Sequence, residues 1–367
     1  MKNILITGGA GFIGNYVSNF AHKKGYNITI LDNLDKQVHG NAQLWPEYLH
    51  ADINKVFGDV RDTKLVNELV SKNDYIIHLA SAVGVGQSMY EVEHYTSVNS
   101  LGTGVLLQAV VNNKESIKKL ILASSMSVYG EGSYLDNSGN ISYPEERKES
   151  DLANLNWDFD GHTPIPTKEE KPLKPSSIYA LNKREQEESC LCIGKTYDIP
   201  TLAFRMFNVY GPYQALSNPY TGVVAIFSSR ILSNKPPVIY EDGLQMRDFV
   251  YVEDVANAYI DAIETDFKGQ HILNLGSGKQ INIYNVAKEL SKILKFDASP
   301  EISNKFRSGD IRNCFGDITK IKEIIGWEPK HSMNEGMKKL LHWLVNVQKD
   351  NLGNDASTDL EKFGLLK

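Results

Sequence analysis

The stretch from Ile4 to Asp32 leaves this chain little choice of fold. Ile4-Leu5-Ile6-Thr7 reads as a buried strand, Gly8-Gly9-Ala10-Gly11-Phe12-Ile13-Gly14 as a glycine-rich turn, the amphipathic run to Lys24 as a helix, and Tyr26-Asn27-Ile28-Thr29-Ile30-Leu31-Asp32 as a second strand. A side chain at Gly8, Gly11 or Gly14 would block a tight turn, the approach of a diphosphate to backbone N–H groups, or close helix-to-strand packing. The helix opening near Phe12 aims free N–H groups and the positive end of its dipole at such an anion. Asp32 ends the second strand, where a carboxylate accepts both hydroxyls of a ribose and repels a 2′-phosphate. The expected ligand is NAD rather than NADP. Strand, turn, helix and terminal acid in that order carry more weight than glycines alone.

Further along, strands and helices keep alternating. Residues 36–54 read as a polar loop, 55–60 as a short strand whose Asp59 is placed to accept from an adenine amino group, and 63–72 as a helix. Residues 75–80 are nearly all apolar, as in the middle of a parallel sheet, and bring Ala80 and Ser81 to a carboxyl end. A long helix is expected over 91–112 through Asn99, a strand over 120–125 ending in Ser124 and Ser125, a helix over 179–195 and a sixth strand over 200–205. Right-handed crossovers place ligands at the carboxyl ends of such strands. The expected architecture is α/β, a Rossmann-type doubly wound parallel sheet over residues 1–206. A smaller C-terminal substrate-binding lobe over 207–350, interleaved with the sheet, and a tail over 351–367 complete it. The lobe is expected to hold helices near 223–233, 283–294 and 334–348 and short strands at 237–240 and 248–252. Within the sheet domain, an insert at about 131–174 is polar and irregular. A loop of that length is either a functional excursion or disordered, and an ordered flap beside the substrate is the expectation.

Bulk properties exclude several classes of partner. The net charge is −6, from 39 basic and 45 acidic residues among 367, with no basic block. Neither nucleic acid nor an anionic membrane surface is an expected partner. Cys190, Cys192 and Cys314 form no even disulfide framework and no paired metal-binding motif, so no metal is expected and a reducing compartment is. No signal peptide and no run of 18 apolar residues is read, which makes the cytoplasm the default.

The second chemical signal is Tyr179-Ala180-Leu181-Asn182-Lys183. Four residues apart on a helix, the tyrosine and lysine share a face and can both reach a bound nicotinamide ribose. A tyrosine with a pKa near 10 is a poor base, but the ammonium of Lys183 and a positive nicotinamide ring would stabilise its phenolate. Ser125 ends a strand at the same crevice, where its hydroxyl can hold a substrate oxygen passing between alcohol and ketone. A surface helix with an incidental Tyr and Lys is the bland alternative.

These stretches carry a resemblance. Residues 7–14, Ser124-Ser125-Met126-Ser127-Val128-Tyr129-Gly130, Tyr179 with Lys183, Phe207-Asn208-Val209-Tyr210-Gly211-Pro212 and residues 247–255 together resemble the extended short-chain dehydrogenase/reductase family, in its nucleotide-sugar epimerase and dehydratase branch. The likeness covers residues 1 to about 345. It implies tightly held NAD, contacted by Gly8, Gly11, Phe12, Ile13, Asp32, Asn33, Asp59, Val60, Leu79, Ala80, Ser81, Asn99, Ser124, Tyr179 and Lys183. It also implies that Asn208, Arg247, Arg307 and Asp310 reach the diphosphate and ribose of a nucleotide sugar, although such charges can equally be surface ion pairs. A homodimer paired through the helices near Asn99 and Ile178 is a further expectation.

Departures from the family pattern narrow the chemistry. Sugar 4,6-dehydratases of this family carry an Asp-Glu pair directly after the hydroxyl residue, whereas this chain has Met126 and Ser127. Without that acid and base a ketone intermediate can only be reduced again, so the expected reaction is epimerisation at C4 with no net redox. Residues 83–90, the insert before Pro175 and residues 214–222 are most similar to the dTDP-L-rhamnose 4-epimerase subgroup. There Val83, Val85 and Met126 would face a 6-methyl group while Gln87 and Ser88 meet hydroxyls, or each is loop packing, and Ser127 is a further substrate-binding candidate. A UDP-glucose or UDP-N-acetylglucosamine 4-epimerase, a net nucleotide-sugar oxidoreductase and an NAD-sensing regulatory protein stand as alternatives.

Overall fold

The computed structural model describes residues 2–41, 43–215, 222–307, 309–346 and 357–367. In chain order the strands are Asn3–Thr7 (β1), Asn27–Asp32 (β2), Asn54–Phe57 (β3), Tyr75–His78 (β4), Lys119–Ser125 (β5), Ser133–Leu135 (β6), Ile141–Ser142 (β7) and Thr163–Ile165 (β8). They continue as Thr201–Met206 (β9), Asn208–Tyr210 (β10), Val238–Ile239 (β11), Met246–Tyr251 (β12), Gln270–Leu275 (β13), Gln280–Asn282 (β14), Glu301–Ile302 (β15) and Asn313–Cys314 (β16). The helices are Phe12–Lys23 (α1), Lys36–His39 (α2), Thr63–Ser71 (α3), Val92–Thr96 (α4), Gly102–Asn112 (α5), Glu149–Ala153 (α6) and Ile178–Thr196 (α7). Then come Val223–Leu232 (α8), Val252–Glu264 (α9), Ile283–Ile293 (α10), Thr319–Ile325 (α11), Met333–Asn346 (α12) and Ser357–Lys362 (α13).

Seven strands form one parallel sheet in the order β13-β9-β5-β4-β1-β2-β3. Alternation along each strand divides its apolar side chains between two cores, as a sheet covered on both faces requires. Ile4, Ile6, Ile77 and Ile121 pack with Val17 of α1 and Val255 and Tyr259 of α9 on one face. Leu5, Ile76, Leu120 and Leu122 pack with Val66 of α3, Leu106 of α5 and Cys190 of α7 on the other. No described helix is long and apolar enough to cross a membrane.

The sheet has one more strand than the sequence suggests. β13 pairs with β9 from Gln270 to Leu275, so the chain returns to the sheet after leaving it at Met206. Helix α9, which precedes it, is a further element beyond the expected ones; its apolar residues are buried while Glu253, Asn257, Asp261 and Glu264 recur at helical spacing along the outer face. The expected helix over 91–112 is broken by a π-helical turn, Ser97–Leu101, which turns Asn99 into the protein. Within the polar 36–54 stretch sits the short α2, capped by the Asp35 side chain on the Gln37 N–H.

The insert is ordered, with β7, β6 and β8 in an antiparallel sheet beside α6. Charged groups clamp it to the C-terminal lobe. Arg147 meets Glu241 at 2.7 Å, and Arg312 meets the same Glu241 at 3.1 Å, with all three side chains at most 4% exposed. Arg312 also reaches Asp158 and Asp242, each at 2.7 Å. Glu131 accepts from the backbone N–H of Arg312 at 2.8 Å.

Removing the shared acid tests this clamp. Glu241→Ala leaves the Arg147 guanidinium buried without its partner, and the expected loss is about 3–5 kcal/mol of unfolding free energy. Urea denaturation followed by circular dichroism measures it, and a loss below about 1 kcal/mol would mean that the clamp carries little of the stability.

Candidate active site

A cleft of about 510 Å³ runs past the carboxyl ends of β1 to β5. Its first wall is the glycine turn. Gly8 has φ +71°, and a Cβ there would stand 2.7 Å from the Ala80 nitrogen on the end of β4. A Cβ on Gly14 would stand 2.1 Å from the Gly8 carbonyl oxygen, so α1 approaches the turn as closely as it does only with glycine there. Gly11 is the N-cap of α1, with no side-chain cap and no acid in the first turn. The N–H groups of that turn are thus left for an anion.

Asp32 is held rather than free to swing. Its Oδ2 accepts from the Ala10 N–H at 3.0 Å and its Oδ1 from the Leu34 N–H at 2.9 Å. His39 from α2 stands 3.8 Å from that carboxylate, and burial keeps its imidazole below the usual pKa in spite of Asp32 and Asp35. Asp59 lines the cleft with its oxygens bound by Arg61 at 2.8 and 2.7 Å, hydrogen bonds that lower its pKa to about 2. The adenine contact expected of Asp59 therefore competes with Arg61. Glycine turn, uncapped helix and fixed carboxylate fit a dinucleotide.

At the other end of the cleft Ser125, Tyr179 and Lys183 come together. The Tyr179 hydroxyl bonds Ser125, yet burial dominates and pushes the phenol up to about 12. Burial also pushes Lys183 down to about 7, and its Nζ donates to the Ala123 carbonyl at 3.0 Å. The lowered tyrosine pKa expected from the sequence is thus not a property of these residues alone. Ser127 Oγ lies 2.9 Å from Ser125 Oγ. Beneath them, Ser124 Oγ donates to Glu187 at 2.6 Å, and Arg205 holds the same carboxylate at 2.5 Å.

Of the other sequence candidates, Phe12, Ile13, Asn33, Val60, Leu79, Ala80, Ser81, Val83, Gln87, Met126 and Asn208 line the cleft. Gln87 is fully committed, since its amide donates to Gln37 at 3.0 Å and Glu91 at 3.1 Å and its oxygen accepts from Gln37 at 2.9 Å and from the Tyr95 hydroxyl at 3.0 Å. Asn208 Oδ1 and Gln214 Oε1 are buried without a hydrogen-bond partner among the described residues. Five candidates stand outside the lining. Asn99 accepts from the Ala82 N–H at 2.8 Å and from Ser81 at 3.0 Å, so it fixes the cleft wall from behind. Ser88 donates to the Val85 carbonyl and accepts from the Tyr179 N–H at 3.0 Å, which makes it a brace for α7 rather than a free hydroxyl. Arg247 donates to the carbonyls of Met246, Ile311 and Arg312, with Asp310 at 3.5 Å. Arg307 stacks over Tyr240 at 4.7 Å. The insert contributes no lining residue among those described. It backs the 310–316 segment instead of lying over the cleft. Residues 216–221 of the expected 214–222 stretch fall outside the described residues.

Sequence reasoning missed Asp35, Gln37 and His39, which line the cofactor end. Their signal was the Asp35 cap and the glycine at 40 that bracket one helical turn. It also missed Tyr95, Met206 and Phe249, apolar wall residues that no motif distinguishes from core.

The NAD dependent epimerase/dehydratase family model matches residues 4–276. The dTDP-L-rhamnose 4-epimerase of Burkholderia thailandensis is 35% identical over 348 residues, 94% of this chain and 95% of that one. The UDP-glucose 4-epimerase of Thermotoga maritima, solved with UDP-glucose, superposes with a TM-score of 0.77 at 31% identity, covering 94% of this chain and 98% of the other. The UDP-glucose 4-epimerase of Thermus thermophilus, solved with NAD, gives 0.73 at 26% identity over 94% and 100%. The chain belongs to the NAD-dependent epimerase/dehydratase family and is an NAD-dependent enzyme of nucleotide-sugar metabolism.

Asp32 offers a direct test of the cofactor end. Asp32→Ala removes a charge-assisted acceptor worth roughly 1.5–3 kcal/mol, so NAD affinity should fall about 10- to 100-fold. The NAD content of the purified protein and equilibrium dialysis check this, and retention at the level of the unaltered chain would remove Asp32 from the ribose.

Proposed function

We propose that this family member is a 4-epimerase of a dTDP-6-deoxyhexose, interconverting dTDP-L-rhamnose and dTDP-6-deoxy-L-talose through a 4-keto sugar. The observation that carries this reading is the distribution of acids along the cleft. Asp32, Asp35 and Asp59 all lie at the ends of β2 and β3 or just beyond, at the dinucleotide end, and no aspartate or glutamate lines the sugar end among the described residues. Expelling a 6-hydroxyl as water takes a positioned acid and base. With Met126 and Ser127 after Ser125, this site lacks them, and a 6-deoxy sugar has no such hydroxyl to lose. Val83, Val85 and Met126 offer an apolar surface for its methyl group.

Bound NAD supplies the reversible two-electron oxidation at C4. The residues of the chain handle the proton and the geometry. Ser125 Oγ holds the 4-oxygen, and Tyr179 Oη takes its proton and later returns it. Because burial alone keeps Tyr179 protonated, its phenolate depends on positive charge from Lys183 and the nicotinamide ring. Asn208 and Gln214, with their unpaired acceptors, are suited to hydroxyls or ring N–H groups of the nucleotide sugar. A UDP-hexose is the second reading, favoured by the likeness to the Thermotoga enzyme solved with UDP-glucose.

Proton NMR without added NAD decides among these. Inversion at C4 of dTDP-L-rhamnose, read from the H4 couplings, is expected. Conversion of UDP-glucose or UDP-N-acetylglucosamine in its place would transfer the assignment to a UDP-hexose. Reduction of added NAD with no epimer would make the protein an oxidoreductase. Tyr179→Phe should keep its NAD and its melting temperature while kcat falls about 10²- to 10⁴-fold; near-normal turnover would sink the role given to the phenol.

A further inference from the structure

We propose that residues 357–367 act as a positioning strap for the substrate end of the cleft, setting affinity for the nucleotide sugar without touching the chemistry. The inference rests on the proposed function and on the role that the family resemblance implies for Arg307, which would reach the substrate diphosphate from outside the cleft lining. Two loops from opposite halves of the chain meet at the start of the catalytic helix α7. Ser88, in the loop after β4, accepts from the Tyr179 N–H at 3.0 Å. Ser176 donates to the Gly309 carbonyl at 3.2 Å, which seats the segment after Arg307 three residues before Tyr179. These contacts place the Val83–Gln87 wall and Arg307 on either side of one helix end.

The C-terminal segment joins the two sides. Leu360 of α13 is 3% exposed and fills the space above Gly86, where an added Cβ would stand 2.8 Å from its Cδ2. Phe363 stacks on Tyr90 with ring centroids 4.3 Å apart and planes 7° from parallel. The chain then turns towards the other loop. Leu366 forms an antiparallel bridge with Arg307, and Phe306 and Lys367 exchange both backbone hydrogen bonds at 2.9 Å. Glu361 meets Lys305 at 2.5 Å, and Lys367 meets Glu149 of the insert.

What this bridge fixes is a residue with little else to hold it. The Arg307 guanidinium lies over the Tyr240 ring, and its buried Nε has no hydrogen-bond partner among the described residues. A buried donor of this kind takes its partner from a ligand, a water or an ion. On the other side, Gly86 sits between Val85 and Gln87, which line the cleft. Loosening the strap therefore releases the sugar wall and the arginine together, while the glycine turn, Asp32 and the Tyr179–Ser125 pair lie outside its contacts.

The test uses the full chain with Phe363→Ala, a residue that is 48% exposed, and separately Leu360→Ala. For Phe363→Ala, KM for the accepted nucleotide sugar should rise about tenfold, and inhibition by the matching nucleoside diphosphate should weaken by the same factor. Its kcat, NAD content and melting temperature should stay unchanged, and Phe363→Tyr should restore KM. An unchanged KM in both alanine variants overturns the proposal, as does a parallel fall in kcat and melting temperature in Phe363→Ala, which would make the segment merely structural. If the unaltered protein converts no nucleotide sugar, the functional reading has failed; if it does and only the variants behave normally, the strap alone has failed.

Discussion

The carboxylate of Glu187 is the constraint on which the arrangement of the active site depends. It sits on α7 one turn beyond Lys183, accepts from Ser124 at the end of β5, and is gripped by Arg205 of β9 at 2.5 and 3.0 Å. Glu187 and Arg205 are 1% and 2% exposed, so this is a paired charge in a medium that would otherwise reject both ions. The pair does more than offset desolvation. It fixes the rotation of α7 against the sheet, so Tyr179 two turns earlier meets Ser125 next to Ser124. Arg205 extends the network by donating to the Glu169 carbonyl at 2.9 Å and lying 4.8 Å over the Tyr129 ring. Strand β9, helix α7 and the insert are thereby locked by a single guanidinium.

The same exclusion of water that makes that pair effective decides the ionisation of the groups above it. Burial drives Tyr179 up and Lys183 down, because in each case it penalises the charged form. His78, between Thr7 and Thr103, is driven down to about 3 by the same cause and is neutral. A site made of these residues favours neutral groups, and a phenolate in it requires added positive charge. On the proposed reading, proton abstraction by Tyr179 is therefore coupled to the positive charge of the bound dinucleotide.

How much of this was legible in the sequence depends on whether the signal was local. The glycine turn, Asp32 and the Tyr179–Lys183 spacing are short-range patterns with a single physical reading, and each lines the cleft. Strand β13 was not legible as part of the sheet, because Gln270–Leu275 follows the elements of the smaller lobe and joins the sheet at β9 across more than sixty intervening residues. The inward turn of Asn99 depends on a π-helical step that has no sequence pattern. Ser88, Arg247 and Asp59 have the right chemistry for ligands, yet the fold gives each an internal partner. A polar residue near a site is read from sequence by type, and only its neighbours decide whether it faces the ligand or braces the wall.

That distinction bears on which reaction a fold of this kind performs. The dinucleotide end is rich in carboxylates, each held by backbone N–H groups, an arginine or a helix cap: Asp32 by Ala10 and Leu34, Asp59 by Arg61, Asp35 by Gln37. The sugar end offers a phenol, serine hydroxyls, amides and apolar side chains, which can shuttle a proton on one oxygen and leave the neighbouring carbons alone. On the proposed reading, the absence of an acid beside Ser125 is as decisive as the presence of Tyr179. It confines the ketone to a single fate, reduction at the carbon from which it came, and leaves only the face of that reduction to be chosen by how loosely the cleft walls hold the sugar.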